Sequence, residues 1–309
     1  MSIMRSVLLA GSQNAWLRDH AVKYPFVRRS VSRFMPGETL DDALRATGEQ
    51  QQRGIGAILT QLGENLTKME EAEAVVLHYV DAFDRIAAQK LPAQISVKLT
   101  QLGLDLDKQR SFENLTTLVR KAETTGNFLW IDMEYSHYVD VTLEHFRKAR
   151  EKSDKVGIAI QAYLRRTPAD VDALLPLAPA IRLVKGAYAE KEDVAFPKKS
   201  DVDEAFYQLS TRFLSHEAAA RGALLHIATH DPTLVGRIRE FTAKQKVPAS
   251  AYEFAMLYGI QRGLQQRLVA EKERLRVLIS YGEFWFPWYM RRLAERPANV
   301  WFVLKNLAG

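Results

Sequence analysis

Residues 157–185 read GIAIQAYLRRTPADVDALLPLAPAIRLVK, and they contain the unit from which the fold is predicted. Two short runs, Gly157–Ala162 and Ile181–Lys185, have the length and the β-branched content of buried strands. Between them Thr167 precedes Pro168, a residue suited to the first turn of a helix. The stretch therefore predicts strand, helix and strand, the order that favours a parallel sheet covered by helices.

The same alternation extends over most of the chain. Six further runs are predicted strands: Ala57–Gln61, Gln94–Leu99, Phe128–Met133, Leu224–Thr229, Ser250–Phe254 and Arg276–Ile279. Successive strands begin 24 to 43 residues apart, which is the length of one strand-plus-helix unit. Eight units over about 250 residues predict an α/β protein with a (β/α)8 TIM-type barrel. A doubly wound open sheet is the structural alternative, although no glycine-rich dinucleotide fingerprint follows any strand.

The segments between the strands carry helix signals. Thr39 is a predicted cap for a helix that extends to about Gln52, and Thr67–Glu70 is a predicted capping box for a helix to about Ala88. Apolar residues recur at three- and four-residue spacing in Asp203–Ala220 and in Pro232–Lys244. Each of these four segments is therefore predicted to be one helix.

The composition is that of a soluble globular protein. Of 309 residues, 47% are hydrophobic and 26% are charged. The chain has no apolar run of about 18 residues and no apolar signal-peptide core. Because there is no cysteine, disulfides, thiolate metal sites and a cysteine nucleophile are excluded. We expect a cytoplasmic enzyme or binding protein.

The positive charge lies mostly at the N-terminus. Residues 1–35 contain six arginines and lysines and only Asp19 as an acid, so they carry +5 of the net +6. We interpret residues 1–36 as a basic helical arm and residues 37–309 as the barrel. Docking of the arm on its own domain is favoured, and contact with anionic lipid or nucleic acid is the alternative.

Polar residues recur where the predicted strands end, which is where TIM-type barrels place their chemistry. They are Gln61, Glu64, Lys98, Asp132, Glu134, Gln161, Arg182, Lys185, Thr229, His230 and Glu253. Taken singly, each has an ordinary structural explanation, such as a cap or a surface ion pair. A lysine facing inward at position 98 would need a carboxylate, and Asp132 on the next strand is the predicted partner.

No metal site, nucleophile elbow or Walker loop is evident, since the seven histidines do not have ligand spacing. A site of lysine, arginine, aspartate and tyrosine without these groups suggests an organic cofactor. Gly186 directly after a predicted strand would let such a cofactor approach the backbone closely.

The last strand leads into Tyr281–Asn299, YGEFWFPWYMRRLAERPAN. On a helix, Glu295 returns to the side of Arg291 and Arg292. Two guanidiniums beside an aromatic wall suit a small ligand with a carboxylate and an apolar body. An ordinary salt-bridged surface helix is the alternative interpretation.

Seven segments resemble the catalytic domain of the proline dehydrogenase family, in the family's order. They are QISVKLTQLGLDLD, WIDMEY, IQAYLRR, RLVKGAY, ATHDP, YEFAMLYG and YGEFWFPWYMRRLAER. RLVKGAY together with the tyrosine, double arginine and glutamate is the specific part of the pattern. The resemblance covers about residues 50–305 and is to the monofunctional bacterial form.

The resemblance implies a distorted barrel whose last helix lies over its mouth. It also implies noncovalent flavin adenine dinucleotide (FAD) and hydride transfer from L-proline, giving Δ1-pyrroline-5-carboxylate in the first step of proline catabolism to glutamate. Electrons would pass to a membrane quinone, and a separate pyrroline-5-carboxylate dehydrogenase would use the product. No nucleic-acid partner is expected. The basic arm and Val300–Leu304 would supply any peripheral contact with the inner face of the plasma membrane.

The resemblance also assigns roles to residues. Arg291, Arg292 and Lys98 would bind the proline carboxylate, with Asp132 holding Lys98. Tyr281 and Leu257 would pack on the pyrrolidine ring near Glu295, and Glu64 would pair with Arg291 to close the site. Arg182 would lie against the flavin. The other implied cofactor contacts are Met133, Gln161, Val184, Lys185, Gly186, Ala187, Thr229 and His230.

Two other functions remain as alternatives. A flavin barrel similar to methylenetetrahydrofolate reductase would share the fold and cofactor but would need room for a pterin. A lipid- or nucleic-acid-binding module that uses the basic arm would be colourless, and its binding would depend strongly on salt.

Overall fold

The computed structural model describes residues 31–63, 66–286 and 288–290. Eight parallel strands pair in chain order, and the last pairs with the first, so the sheet is a closed barrel. The strands are β1 Gly56–Gln61, β2 Ala93–Val97, β3 Leu129–Ile131, β4 Val156–Gln161, β5 Ala180–Val184, β6 Leu224–Ala228, β7 Tyr252–Leu257 and β8 Leu275–Tyr281. The prediction of a TIM-type barrel is confirmed.

One helix precedes β1, and the others connect the strands on the outside of the barrel. They are α1 Leu40–Gln51, α2 Met69–Ala88, α3 Lys108–Thr124, α4 Val139–Arg150, α5 Thr167–Leu174, α6 Lys199–Phe213, α7 His216–Ala220, α8 Pro232–Lys244 and α9 Arg262–Ala270. Short 3-10 turns lie at Thr100–Leu102, Ser136–Tyr138, Leu175–Leu177 and Ala249–Ala251. Residues 285, 286 and 288–290 are helical beyond β8.

The local signals were accurate at several termini. Thr39 caps α1 by accepting a hydrogen bond from the Asp42 backbone N–H, and Asp231 caps α8 in the same way through Thr233. The capping box of α2 lies one residue later than predicted, because the Glu71 carboxylate accepts from the N–H groups of Thr67 and Lys68.

Most boundaries differ from the prediction by one or two residues, and two of the differences have a local cause. The single helix predicted for Asp203–Ala220 is two helices, because the Ser215 side chain accepts from the Ala218 N–H and starts α7. Strand β7 begins at Tyr252 rather than Ser250, since the residues after Pro248 form a 3-10 turn.

The two faces of the barrel wall have different character. Residues such as Ile95, Val97 and Ile279 point outward into the main core between strands and helices. Ile58, Trp130 and Ala180 belong to a separate, smaller cluster inside the barrel. Because side chains alternate along a strand, this division decides which residues reach the interior. A second satellite cluster joins Val31, Met35 and Leu62 to the aromatic residues after β8.

A layer of polar and aromatic side chains fills the barrel interior towards the amino ends of the strands. The Trp130 indole N–H donates to Gln94 Oε1 at 2.8 Å, and the His226 ring lies 4.4 Å from the Trp130 ring, centroid to centroid. His226 Nε2 lies 3.2 Å from Glu253 Oε2, and Arg276 Nε donates to the same oxygen at 3.0 Å. Burial lowers the pKa of His226 to about 4. Although burial opposes it, His226 and Arg276 lower the pKa of Glu253 to about 2.

The shifted pKa values of His226 and Glu253 predict that the folded protein becomes less stable in acid. Between pH 6.5 and 4 the unfolded chain binds a proton at His226 that the native protein does not, and Glu253 acts in the same direction below pH 4.5. We expect His226 to contribute a loss of about 3 kcal/mol in the free energy of unfolding between pH 7 and pH 4. In urea titrations, the difference in the free energy of unfolding between wild type and His226→Gln should fall by about 3 kcal/mol from pH 7 to pH 4. The exposed His216→Gln is the control, and parallel curves for wild type and His226→Gln would contradict the prediction.

Candidate active site

A cavity of about 610 Å³ opens at the carboxyl ends of the strands, within the size range of ligand sites. The structure brings the nine predicted cofactor residues together in its lining: Met133, Gln161, Arg182, Val184, Lys185, Gly186, Ala187, Thr229 and His230. Asp132 and Leu257 line it as well. These residues come from five consecutive strands, β3 to β7, and their loops, so the closed parallel barrel is what gathers them.

Arg182 and Asp132 form a buried ion pair in this cavity. The Arg182 guanidinium donates to Asp132 Oδ1 and, at 2.9 Å, to Ser96 Oγ. Ser96 Oγ in turn donates to Asp132 Oδ1 at 2.9 Å, and the guanidinium lies 5.4 Å from the centre of the Trp130 ring. Burial lowers the pKa of Arg182 while Asp132 opposes the shift, and an arginine remains cationic under these conditions. Asp132 and Ser96 therefore hold the Arg182 guanidinium in place in the wall of the cavity.

Asp132 therefore pairs with Arg182. The predicted pairing of Asp132 with Lys98 is wrong. Asp132 and Arg182 both face the barrel interior, and Ser96 lies between them. Lys98 lies one residue beyond the end of β2 and is half-buried. Its ammonium has no ion-pair partner among residues 31–63, 66–286 and 288–290. Lys98 therefore does not hold Asp132.

Tyr281 lies on the opposite face of β8 from the one that was predicted. It is fully buried among outward-pointing side chains, and its hydroxyl lies 2.8 Å from His78 Nε2 on α2. Burial raises the pKa of Tyr281, which keeps the phenol neutral. The residue of β8 that lines the cavity is Leu278, three positions earlier and therefore on the other face. This arrangement does not bring the Tyr281 side chain into the cavity, and Leu278 is the β8 residue that lines it.

Leu257 and His230 are joined by a hydrogen bond. The Leu257 backbone N–H donates to His230 Nε2 at 2.8 Å, which assigns the ring proton to Nδ1. Gln265 Nε2 donates to the backbone oxygens of Leu257 and Ile260, so the loop after β7 is fixed as well. Leu257, Leu278 and Ile58 give this side of the cavity an apolar wall.

Ion pairs and a glycine with positive φ constrain the loop after β5. Lys185 Nζ donates to Asp203 at 2.5 Å and to Asp231 at 3.3 Å. Although burial opposes it, Lys199 and Lys185 hold the pKa of Asp231 below its ordinary value. Gly186 has φ +109°, and an added Cβ would lie 2.2 Å from the Tyr163 ring. The backbone beside the cavity therefore requires glycine at this position.

The predicted residues Glu64, Arg291, Arg292 and Glu295 lie outside the described residues, so their roles remain predictions. The aromatic residues between β8 and the double arginine are described. Trp285, Trp288 and Tyr289 are buried together, and Trp285 donates to Glu38 at 2.8 Å. They pack in one cluster with Val31, Met35 and Leu62.

Two buried polar atoms at the cavity lack partners among the described residues. Arg182 Nη1 is a donor without an acceptor, and Gln161 Oε1 is an acceptor without a donor. Leaving such groups unsatisfied costs free energy, so a ligand with complementary polar atoms is expected. A flavin ring carries carbonyl and ring-nitrogen acceptors as well as an N–H donor along its edges. The lining residues therefore fit a flavin.

The comparisons with known proteins agree on one family. The family model described as proline dehydrogenase matches residues 43–305. Proline dehydrogenase 1 of Bacillus subtilis strain 168 is 38% identical over 307 residues, which cover 99% of each chain. Proline dehydrogenase of Deinococcus radiodurans is 34% identical over 282 residues, covering 90% of this chain and 89% of its own.

A similar fold occurs in a solved structure. The crystal structure of proline utilization A from Bdellovibrio bacteriovorus, inactivated by N-propargylglycine, matches with a TM-score of 0.82 at 24% identity. The match covers 94% of this chain and 36% of that one. At this identity it supports the barrel fold.

Proposed function

Because the chain belongs to the proline dehydrogenase family, we propose that it oxidises L-proline to Δ1-pyrroline-5-carboxylate with noncovalently bound FAD. As a family member it is an oxidoreductase that acts on proline in the first step of proline catabolism. The observation that carries the cofactor proposal is the buried Arg182–Asp132 pair in the wall of the cavity that Gly186 also lines, with Arg182 Nη1 unpartnered among the described residues.

The substrate end of the site is proposed to recognise both halves of proline. Its carboxylate is a planar anion suited to bidentate arginine, and we assign it to Arg291 and Arg292 with Lys98. The ring methylenes suit the apolar wall of Leu257 and Leu278. Holding both ends would fix the ring carbon beside the nitrogen at one place in the cavity, which lowers the entropic part of the barrier. Glu295 and a pairing of Glu64 with Arg291 complete the proposed substrate site.

The redox step removes a hydride from the ring carbon next to nitrogen and a proton from the amine, leaving a carbon–nitrogen double bond. The flavin, when bound, supplies the acceptor for the hydride. Arg182 would stabilise the negative charge that arrives there, since its guanidinium is fixed by Asp132 and Ser96 before the reaction. The other cavity-lining residues, Met133, Gln161, Val184, Lys185, Gly186, Ala187, Thr229 and His230, would hold the cofactor.

Isotopic substitution tests this step. We expect deuterium at the ring carbon bonded to nitrogen but not to the carboxylate to slow flavin reduction in a stopped-flow measurement. An isotope effect that appears only with deuterium at another carbon would contradict the proposal.

Noncovalent binding of FAD is tested by heat denaturation. Heating should release FAD, identified by mass, and yellow colour that stays with the precipitate would contradict noncovalent binding.

Gly186 predicts a loss of cofactor on substitution. Gly186→Ala adds a Cβ at positive φ that meets the Tyr163 ring, so the β5 loop must shift. We expect the affinity for FAD, measured by fluorescence titration of the apoprotein, to fall by about tenfold or more. Gly222→Ala is the matched control, because Gly222 also has positive φ, +84°, but open space around it. Equal FAD affinity in the two variants would contradict the prediction.

The reduced protein needs an oxidant, and we propose a membrane quinone. The described residues include no helix that is both long and apolar enough to span a bilayer. The proposed contact is therefore peripheral, at the inner face of the plasma membrane, through the basic arm and Val300–Leu304. Both segments lie largely outside the described residues. If their deletion left binding to anionic liposomes unchanged, this assignment would be wrong. A separate pyrroline-5-carboxylate dehydrogenase would consume the product.

A further inference from the structure

Strands β1 and β2 separate before they end. Their backbone register runs from Ala57 opposite Ala93 to Leu59 opposite Ile95, although β1 continues to Gln61 and β2 to Val97. Beyond this point two side chains supply the missing hydrogen bonds. They belong to Tyr79 on α2 and to Gln101 in the turn after β2.

Tyr79 fills the lower part of this gap. Its hydroxyl accepts from the Gln61 N–H at 2.9 Å and donates to the Ser96 carbonyl at 3.3 Å. Tyr79 is fully buried, and burial raises its pKa, so the phenol stays neutral and keeps both roles. It thereby bridges the backbones of β1 and β2 beside Ser96, whose side chain bonds the Arg182–Asp132 pair.

Gln101 fills the upper part of the gap. Its side-chain Nε2 donates to the Gln61 carbonyl at 2.8 Å and to the Gly63 carbonyl at 2.7 Å. Its Oε1 accepts from the Lys98 N–H at 3.3 Å. The two carbonyls and one N–H fix the orientation of the amide, and the residue is only 1% exposed. One buried side chain therefore ties the Lys98 backbone to the loop after β1.

The same loop is held from its other side by β8. The Leu62 N–H donates to the Tyr281 carbonyl at 2.6 Å. Gly282 has φ +121°, and an added Cβ would lie 2.9 Å from the Leu62 oxygen. The loop after β1 thus lies between Gln101 and the strand that leads towards Arg291 and Arg292. Gln101 is the connection between this loop and Lys98.

We propose that Gln101 is a positioning residue for the carboxylate end of the substrate site. It acts through Lys98 and the β1 loop and does not touch substrate. The inference rests on the proposed function, in which Lys98 binds the carboxylate of proline. Because the hydrogen bonds of Gln101 within the described residues go to the Lys98 backbone and to the loop after β1, and not to Arg182, Asp132 or Ser96, its loss should weaken binding of substrate and leave hydride transfer at saturation nearly unchanged.

Gln101→Leu tests this in the FAD-loaded full chain, because leucine has a similar volume but makes no hydrogen bond. We expect the KM for L-proline to rise about tenfold, with kcat changed less than about twofold. The dissociation constant of cyclopentanecarboxylate, a ring carboxylate without an amine, should rise by the same factor in a flavin-absorbance titration. Gln101→Glu keeps the acceptor for Lys98 but sets a carboxylate against two carbonyls, and it should raise KM as well.

Asn114→Leu is the matched control. Its Nδ2 donates to the Leu102 carbonyl in the same turn, at 3.1 Å, but it reaches neither Lys98 nor the β1 loop. It should lower the melting temperature without changing the KM. A KM in Gln101→Leu or Gln101→Glu equal to that of Asn114→Leu, or a fall in kcat at constant KM, would overturn the inference. A wild-type protein that L-proline does not reduce would instead overturn the proposed function.

Discussion

Replacing Arg182 with methionine is expected to slow the reduction of bound flavin by L-proline about a thousandfold. Arg182 is 5% exposed and oriented by Asp132 and Ser96, so its charge is in place before the reaction begins. Fixed charge in a buried site stabilises the transition state more than a mobile charge in water does. The measurement is the limiting rate of flavin bleaching at saturating proline in an anaerobic stopped-flow instrument.

Two further variants make this result specific. Arg182→Lys keeps a cation beside Asp132 but replaces the planar guanidinium with a single ammonium group. Its rate should therefore lie between those of wild type and Arg182→Met. Arg239→Met removes an arginine that pairs with Glu273 on the outside of α8, and it should leave the rate within about twofold of wild type. A rate for Arg182→Met close to that of Arg239→Met would contradict a role for Arg182 in the redox step.

Replacing Arg292 with methionine is expected to raise the KM for proline about a hundredfold while FAD stays bound. Loss of one bidentate contact to a carboxylate removes roughly 3 kcal/mol of binding, which corresponds to that factor. The structure does not describe Arg292, so the expectation comes from the double-arginine pattern and the family. Steady-state kinetics with a quinone acceptor and the flavin-to-protein ratio would measure both parts.

The control for this variant is Arg267→Met, which removes an exposed arginine on α9. Its KM should equal that of wild type. A KM for Arg292→Met that is also unchanged, or loss of FAD without a change in KM, would show that the double arginine is not the carboxylate site.

The sequence predicted the architecture well because the signals are local. Eight apolar runs and their spacing indicate the barrel, and capping residues such as Thr39 and Asp231 mark where helices begin. Boundaries moved where a side chain changed the local hydrogen bonding, as Ser215 does between α6 and α7. Such competition depends on geometry that a pattern of residue types does not contain.

The structure brings together the predicted site residues whose strand position alone determines where they lie, and it differs from the prediction where pairing across the barrel decides. The sequence pairs Asp132 with Lys98 on the adjacent strand, yet in the structure Asp132 pairs with Arg182 on β5. The resemblance assigns Tyr281 to the substrate ring, whereas alternation along β8 from Leu278 places Tyr281 on the outer face. Gln101 gave no sequence signal, because its role depends on the separation of β1 and β2.

Anaerobic addition of L-proline to the purified protein tests the central claim most directly. The absorption spectrum should show oxidised flavin, and about one equivalent of L-proline should bleach it and yield an equal amount of Δ1-pyrroline-5-carboxylate. D-proline and cyclopentanecarboxylate should leave the flavin oxidised. A flavin-loaded protein that stays yellow in excess L-proline would contradict the account.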